Sequence, residues 1–104
     1  MAETDNHFSF EQLERNADQA EALLKALSNK YRLMILCLLQ AGEMSVSELN
    51  DKISISQSSL SQNLAWLRRQ GIVATRREAQ TIFYHLKDPN VSKIIDTLHS
   101  IFCA

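Results

Sequence analysis

The apolar residues of this chain change their period at Gly71, and that change limits the architectures open to it. From Phe10 to Leu67 they recur every three or four positions, the spacing of one face of an α-helix. Beyond Gly71, Ile72-Val73-Ala74-Thr75 and Thr81-Ile82-Phe83-Tyr84 are runs of β-formers. The polar link between them, Arg77-Glu78-Ala79-Gln80, reads as a hairpin tip. Asp88-Pro89 is an N-cap with proline at the first helical position, and helical spacing resumes at Val91, Ile94, Ile95, Leu98, Ile101 and Phe102. Two Gly and one Pro in 104 residues leave the helices largely uninterrupted. That length predicts one domain, large enough to bury a core alone.

Punctuation divides the helical part. Residues 1–8 are expected to form a flexible tail, and residues 9–104 the domain. Ser9, with Gln12 three residues on, opens a first helix whose stripe of Phe10, Leu13, Ala17, Ala20, Leu24 and Leu27 runs unbroken along one face. Ser28 and Asn29 cap a second helix at about 30–40 that is apolar nearly all round, so it should be the central buried one and carry Cys37 with it. Gly42 ends it. Ser45 and Glu48 form a capping box for a short helix at about 46–53. Ser54 to Ser56 make a turn, Ser56 caps a fourth helix, and Gly71 ends that helix after Gln70. Its inward side is Leu60, Leu64 and Leu67. The order α-α-α-α-β-β-α, mainly α with a two-stranded wing, is that of a winged helix-turn-helix.

The outward side of the fourth helix points to duplex DNA. Gln57, Ser58, Ser59, Ser61, Gln62 and Asn63 are short uncharged hydrogen-bonding side chains, and Gln and Asn can pair bidentately with adenine in the major groove. They fill the first half of the helix, where a recognition helix meets base edges. Arg68 and Arg69 at its end suit phosphate. Arg76 and Arg77 on the hairpin, with Gln80 at its tip, are placed for the backbone or a minor groove. A solvated polar face is the ordinary alternative, but such a face normally mixes Glu with Lys, and no acid occurs between Ile53 and Arg77. The net charge of −1 hides this clustering, because Glu3, Asp5, Glu11, Glu14, Asp18 and Glu21 crowd the other end of the chain. A phosphate within a Debye length feels the local cluster and not the total.

The run Leu49 to Leu86, LNDKISISQSSLSQNLAWLRRQGIVATRREAQTIFYHL, resembles the DNA-binding core of ArsR-type regulators. Leu23 to Leu39, LLKALSNKYRLMILCLL, is similar to the helices that precede it. The likeness extends from about Gln19 to Cys103. It is strongest toward the HlyU/BigR/SqrR-like subgroup, which lacks metal ligands, on the cues ILCLL around Cys37, LAWLRR around Trp66, EAQTIFY in the wing and Cys103 near the C-terminus. Asn63 stands where the family usually has His, and Ala79 where a wing-tip Gly is common.

The two cysteines admit several readings from the residues alone: buried inert thiols, a metal site or a redox switch. The resemblance implies the last, with Cys37 and Cys103 oxidised, or bridged by sulfur atoms, in response to oxidants or reactive sulfur. A metal-responsive repressor is the alternative within the wider family, but SVSELND carries no cysteine, and nothing beyond His99 completes a set with Asp96. No metal and no cofactor is expected. A thiol oxidoreductase would want a CxxC pair or a Cys-His dyad, and a pure protein-interaction module would need no arginines beside a polar helix; neither pattern fits, so no enzymatic activity is expected. The apolar stripes of the first and last helices could close the monomer core or pair two chains, and the resemblance favours a homodimer through both. The acidic start lacks the pattern of an export signal, and the longest apolar run, Leu33 to Leu39, is too short to span a bilayer, so the expected location is the cytoplasm, with no membrane partner.

Overall fold

The computed structural model describes residues 9–103; the expected tail, residues 1–8, lies outside them. The elements in order are α1 (Phe10–Arg15), α2 (Ala17–Leu27), α3 (Lys30–Gln40), β1 (Met44–Ser45), α4 (Val46–Lys52), α5 (Gln57–Arg69), β2 (Val73–Glu78), β3 (Thr81–Leu86) and α6 (Pro89–Phe102). The helical segments expected from the sequence are present, and their caps are the expected residues. Ser9, Ser45, Ser56 and Asp88 each accept a backbone N–H of the first turn, and Glu48 closes the capping box on Ser45. Asn29 caps α3 by accepting from both Tyr31 and Arg32.

Two expectations are corrected. The first helix is not continuous, because the chain turns at Asn16 and splits it into α1 and α2. The Asn16 amide donates to the Gln12 carbonyl at 2.9 Å, an instance of a short polar side chain competing with the helix for its own backbone. The sheet also has three strands and not two. Met44 and Ser45 enter α4 extended and pair antiparallel with Tyr84 and Phe83, giving the order β1–β3–β2. β2 and β3 pair from Val73↔Leu86 to Glu78↔Thr81, so the connection is only Ala79-Gln80. Ala79 sits at φ 56°, in the left-handed region that costs an L-residue. Gly71, at φ 75°, ends α5 in the same region without that cost.

The core joins Ile35, Leu36 and Leu39 of α3, Leu49 and Ile53 around α4, Leu60, Leu64 and Leu67 of α5, Ile72 and Val73, and Val91 and Ile95 of α6. The three leucines expected to face inward from α5 have no accessible surface. A triangle of α3, α4 and α5 is thereby closed on one side by the sheet and on another by α6. The chain ends behave differently. α1 buries no residue and α2 only Ala26. Phe10, Leu13, Leu24, Ile101 and Phe102 stay exposed. The Cα radius of gyration is 16.1 Å, against about 13 Å for a compact chain of this length. Among the described residues no helix is long and apolar enough to cross a membrane.

Candidate nucleic-acid interface

Burial of Leu60, Leu64 and Leu67 fixes the rotation of α5. At 100° per residue the line opposite them carries Ser58, Gln62, Ala65 and Arg69. Gln57, Ser61 and Arg68 form one flank, and Ser59, Asn63 and Trp66 the other. Gln57, Ser58, Ser59, Ser61 and Gln62 are all exposed, as are Arg68 and Arg69, and Asn63 is half-buried. The fold therefore presents the expected polar set on one side of a single helix. The two terminal arginines diverge by a quarter turn, and only Arg69 continues the line of Ser58 and Gln62. Some of this hydrogen-bonding capacity is used internally. Ser56 contacts Ser58 at 3.3 Å and accepts from the Ser59 N–H, while the Asn63 amide donates to the Ser59 carbonyl at 3.0 Å. Gln57, Ser61 and Gln62 make no such side-chain bond among the described residues.

The hairpin separates its two arginines by sheet face. Val73, Tyr84 and Leu86 pack on the core, and the pairs Val73↔Leu86, Thr75↔Tyr84 and Arg77↔Ile82 share that face. Arg77 thus projects beyond the core on the helix-bearing side, beside the exposed Ile82. Arg76 lies on the opposite face. Its guanidinium donates to both Glu43 oxygens, at 2.8 and 3.0 Å from Nε, lies 3.6 Å from Glu78, and stacks 4.8 Å from the Phe83 ring. The hydrogen bond from Arg76 holds the Glu43 carboxyl below the ordinary carboxylate range. Of the two arginines expected to reach DNA from the wing, Arg76 is partnered, and Arg77 has no ion-pair partner among the described residues. Gln80 is exposed at the tip. Glu43 was not foreseen from the sequence, since nothing local links it to a residue 33 positions away.

Arg32 was also not foreseen. It comes from the first turn of α3 and stacks its guanidinium 4.4 Å from the Trp66 ring of α5. It simultaneously donates to the carbonyls of Ala26 and Lys25 at 3.0 and 2.9 Å, closing the end of α2. The sequence signal was present but faint: one arginine in the first turn of a largely apolar helix.

The cysteine expectation needs correction. Cys37 is exposed, not buried in the core, because α3 buries the face of Ile35, Leu36 and Leu39 and turns Cys37 away from it. Cys103 is exposed at the end of α6, and both thiols are free. Partial burial raises the Cys37 pKa, and negative charge on Cys103 raises it further. A polar clasp sets how α3 and α6 meet there. The Gln40 amide donates to Asp96 Oδ1 at 2.6 Å and to the Ser92 carbonyl at 3.3 Å, and the Ser92 hydroxyl donates back to Gln40 Oε1 at 2.9 Å. Among the described residues no group of three or more potential metal-binding side chains comes together.

Residues 29–75 match the arsR family of bacterial regulatory proteins. The chain is 50% identical over 95 residues to the transcriptional activator HlyU of Vibrio cholerae, spanning 91% of this chain and 88% of that protein. It is 44% identical over 102 residues to the biofilm growth-associated repressor of Xylella fastidiosa, spanning 98% and 90%. The fold superposes on the solved structure of the transcriptional repressor BigR from Xylella fastidiosa with a TM-score of 0.87, at 44% identity, covering 93% of this chain and 99% of that one. On reduced HlyU from Vibrio cholerae the TM-score is 0.85 at 49% identity, covering 91% and 100%. The chain belongs to the arsR family of bacterial regulatory proteins and is a DNA-binding winged helix-turn-helix regulator of the HlyU and BigR type.

Proposed function

We propose that this protein is a homodimeric transcriptional regulator, a repressor or anti-repressor, that binds an inverted-repeat operator and is switched by its thiols. The observation that carries the reading is the outward side of α5: five exposed uncharged hydrogen-bonding residues, no acid, and exposed arginines beside them, Arg69 on the helix and Arg77 on the wing. Gln57 and Gln62 suit base edges, and Arg68, Arg69 and Arg77 suit phosphates. The dimer reading draws on the apolar residues exposed on α1, α2 and α6 and on the large radius of gyration. A two-fold dimer would place its two α5 helices in successive major grooves, one turn or a multiple apart. The relatives' names include both an activator and a repressor, so either direction of control is compatible with this chemistry.

Cys37 and Cys103 would form the switch. One thiolate attacks a polysulfide and displaces a shorter polysulfide. The second thiolate attacks the sulfur chain so attached, and hydrosulfide leaves. Two thiols are oxidised, and polysulfide sulfur is reduced to hydrosulfide. The product ties α3 of the reading domain to α6 of the dimer surface, which would change how the two α5 helices are spaced. A direct disulfide needs Cα atoms within roughly 7 Å, whereas a chain of inserted sulfurs reaches further. The test is titration of the protein onto labelled DNA from upstream of its own gene, at stated salt, reduced and after polysulfide. Tight binding only when reduced is expected, together with loss of the response in Cys103→Ser. Equal binding in both states would leave a DNA-binding protein whose cysteines are not a switch.

A further inference from the structure

Arg32 has the features of an anion-binding group aimed at the reading surface. Among the described residues it has no ion-pair partner. Two of its five N–H groups hold the Lys25 and Ala26 carbonyls, which leaves three unspent. The stack on Trp66 fixes the plane of the guanidinium, so little side-chain freedom remains to be lost on binding. Its open side fronts a surface notch of about 430 Å³ shared with Ser59, Gln62, Asn63, Trp66 and Arg69 of α5, and no acidic residue lines that notch. The notch lies along the Ser59–Asn63–Trp66 flank of the helix. A helix with its side chains is about 10–12 Å across and fills a major groove about 12 Å wide, so groups beside its flank meet the phosphate rows and not the bases.

We propose that Arg32, with Arg69, binds a backbone phosphate of the DNA at the wall of the major groove that α5 enters. Arg32 is thereby a DNA-contacting residue contributed from outside the helix-turn-helix pair. The same side chain closes the end of α2, so this phosphate contact registers the duplex against the α2 side of the protein as well as against α5.

The experiment is a salt titration of binding by wild type and Arg32→Gln, measured by fluorescence anisotropy on the upstream fragment with protein reduced, after thermal unfolding and sedimentation have shown fold and assembly unchanged. One phosphate contact contributes about 0.9 to the slope of log K against log salt. A two-fold dimer makes the contact once per half-site, so the substitution removes about 1.8 from the slope, and the advantage of wild type over Arg32→Gln should shrink about 12-fold between roughly 50 and 200 mM salt. A ratio that stays constant across that range makes Arg32 a strut for α2 and Trp66 only and overturns the proposal. Should Arg32→Gln fail to fold, Arg32→Lys keeps the charge but not the fork, and operator phosphates are neutralised singly as methylphosphonates. One position per half-site whose cost differs between the Arg32→Lys variant and wild type is expected; additivity at every position refutes the contact. Wild type that binds no DNA at any salt would instead remove the regulator reading on which this inference rests.

Discussion

Phe102→Ala asks whether the exposed end of α6 is an interface. Phe102 is 79% accessible in the single chain, although it follows Ile95, Leu98 and Ile101 on an amphipathic helix. Full burial of a phenylalanine side chain is worth about 3 kcal/mol at the upper end. Covering the exposed four-fifths of it would contribute about 2 kcal/mol after the alanine retains its share. A two-fold interface uses each residue twice, so truncation should weaken dimerisation by about 4 kcal/mol, or nearly three decades in the dimer dissociation constant. Sedimentation equilibrium over a wide concentration range reads this directly. Circular dichroism checks that the buried anchors of α6, Val91 and Ile95, still hold the helix in place. A variant that stays folded and dimerises as wild type does would refute the argument.

The remaining expectations concern the wing and the thiols. Arg77→Gln should lower the salt slope of DNA binding by about 1.8, one contact from each subunit of the dimer, while Arg76→Gln should leave it nearly unchanged, because the Arg76 charge is already matched by Glu43; equal effects in the same anisotropy assay would contradict the separation of the two by sheet face. Ala79→Gly removes a left-handed strain of about 1–2 kcal/mol but adds unfolded-state freedom, so the net gain should be about 0.5–1 kcal/mol. Thermal denaturation should show a rise of up to about 8 °C. In Cys103→Ser, alkylation of Cys37 should become half-maximal at a lower pH than alkylation of Cys37 in wild type. The reason is that negative charge on Cys103 opposes formation of the Cys37 thiolate. An unchanged profile would place the two thiols apart.

Much of the reading surface was legible in the chain because it depends on local rules. The caps at Ser9, Ser45, Ser56 and Asp88 are set by residues three or fewer positions away. The rotation of α5 follows from three leucines at helical spacing, and the polar residues opposite them had no other place to go. The break at Asn16 was hidden by an apolar stripe that continues across it, since periodicity records which face is apolar and not whether the backbone turns. The third strand was hidden for another reason. Met44-Ser45 is too short to show alternation, and it exists only because β3 offers an edge.

What the amino-acid order determined alone was therefore the succession of helices and the wing hairpin, the bounds of the helices from Lys30 onward within a residue, and the face of α5 that stays polar. Each is a property of neighbours within one helical turn or one strand pair. Which charges remain available was decided by tertiary structure. Arg76 and Arg77 are adjacent in the chain, yet the pleat sends them to opposite faces, where Glu43 waits for only one. Arg32 stands 34 positions before Trp66 and meets it only when α3 packs on α5. Cys37 lies within a nearly all-apolar helix, and its exposure follows from which side of α3 the other helices cover. Long-range pairing of this kind leaves no periodic trace, because contact between distant residues depends on how whole elements pack.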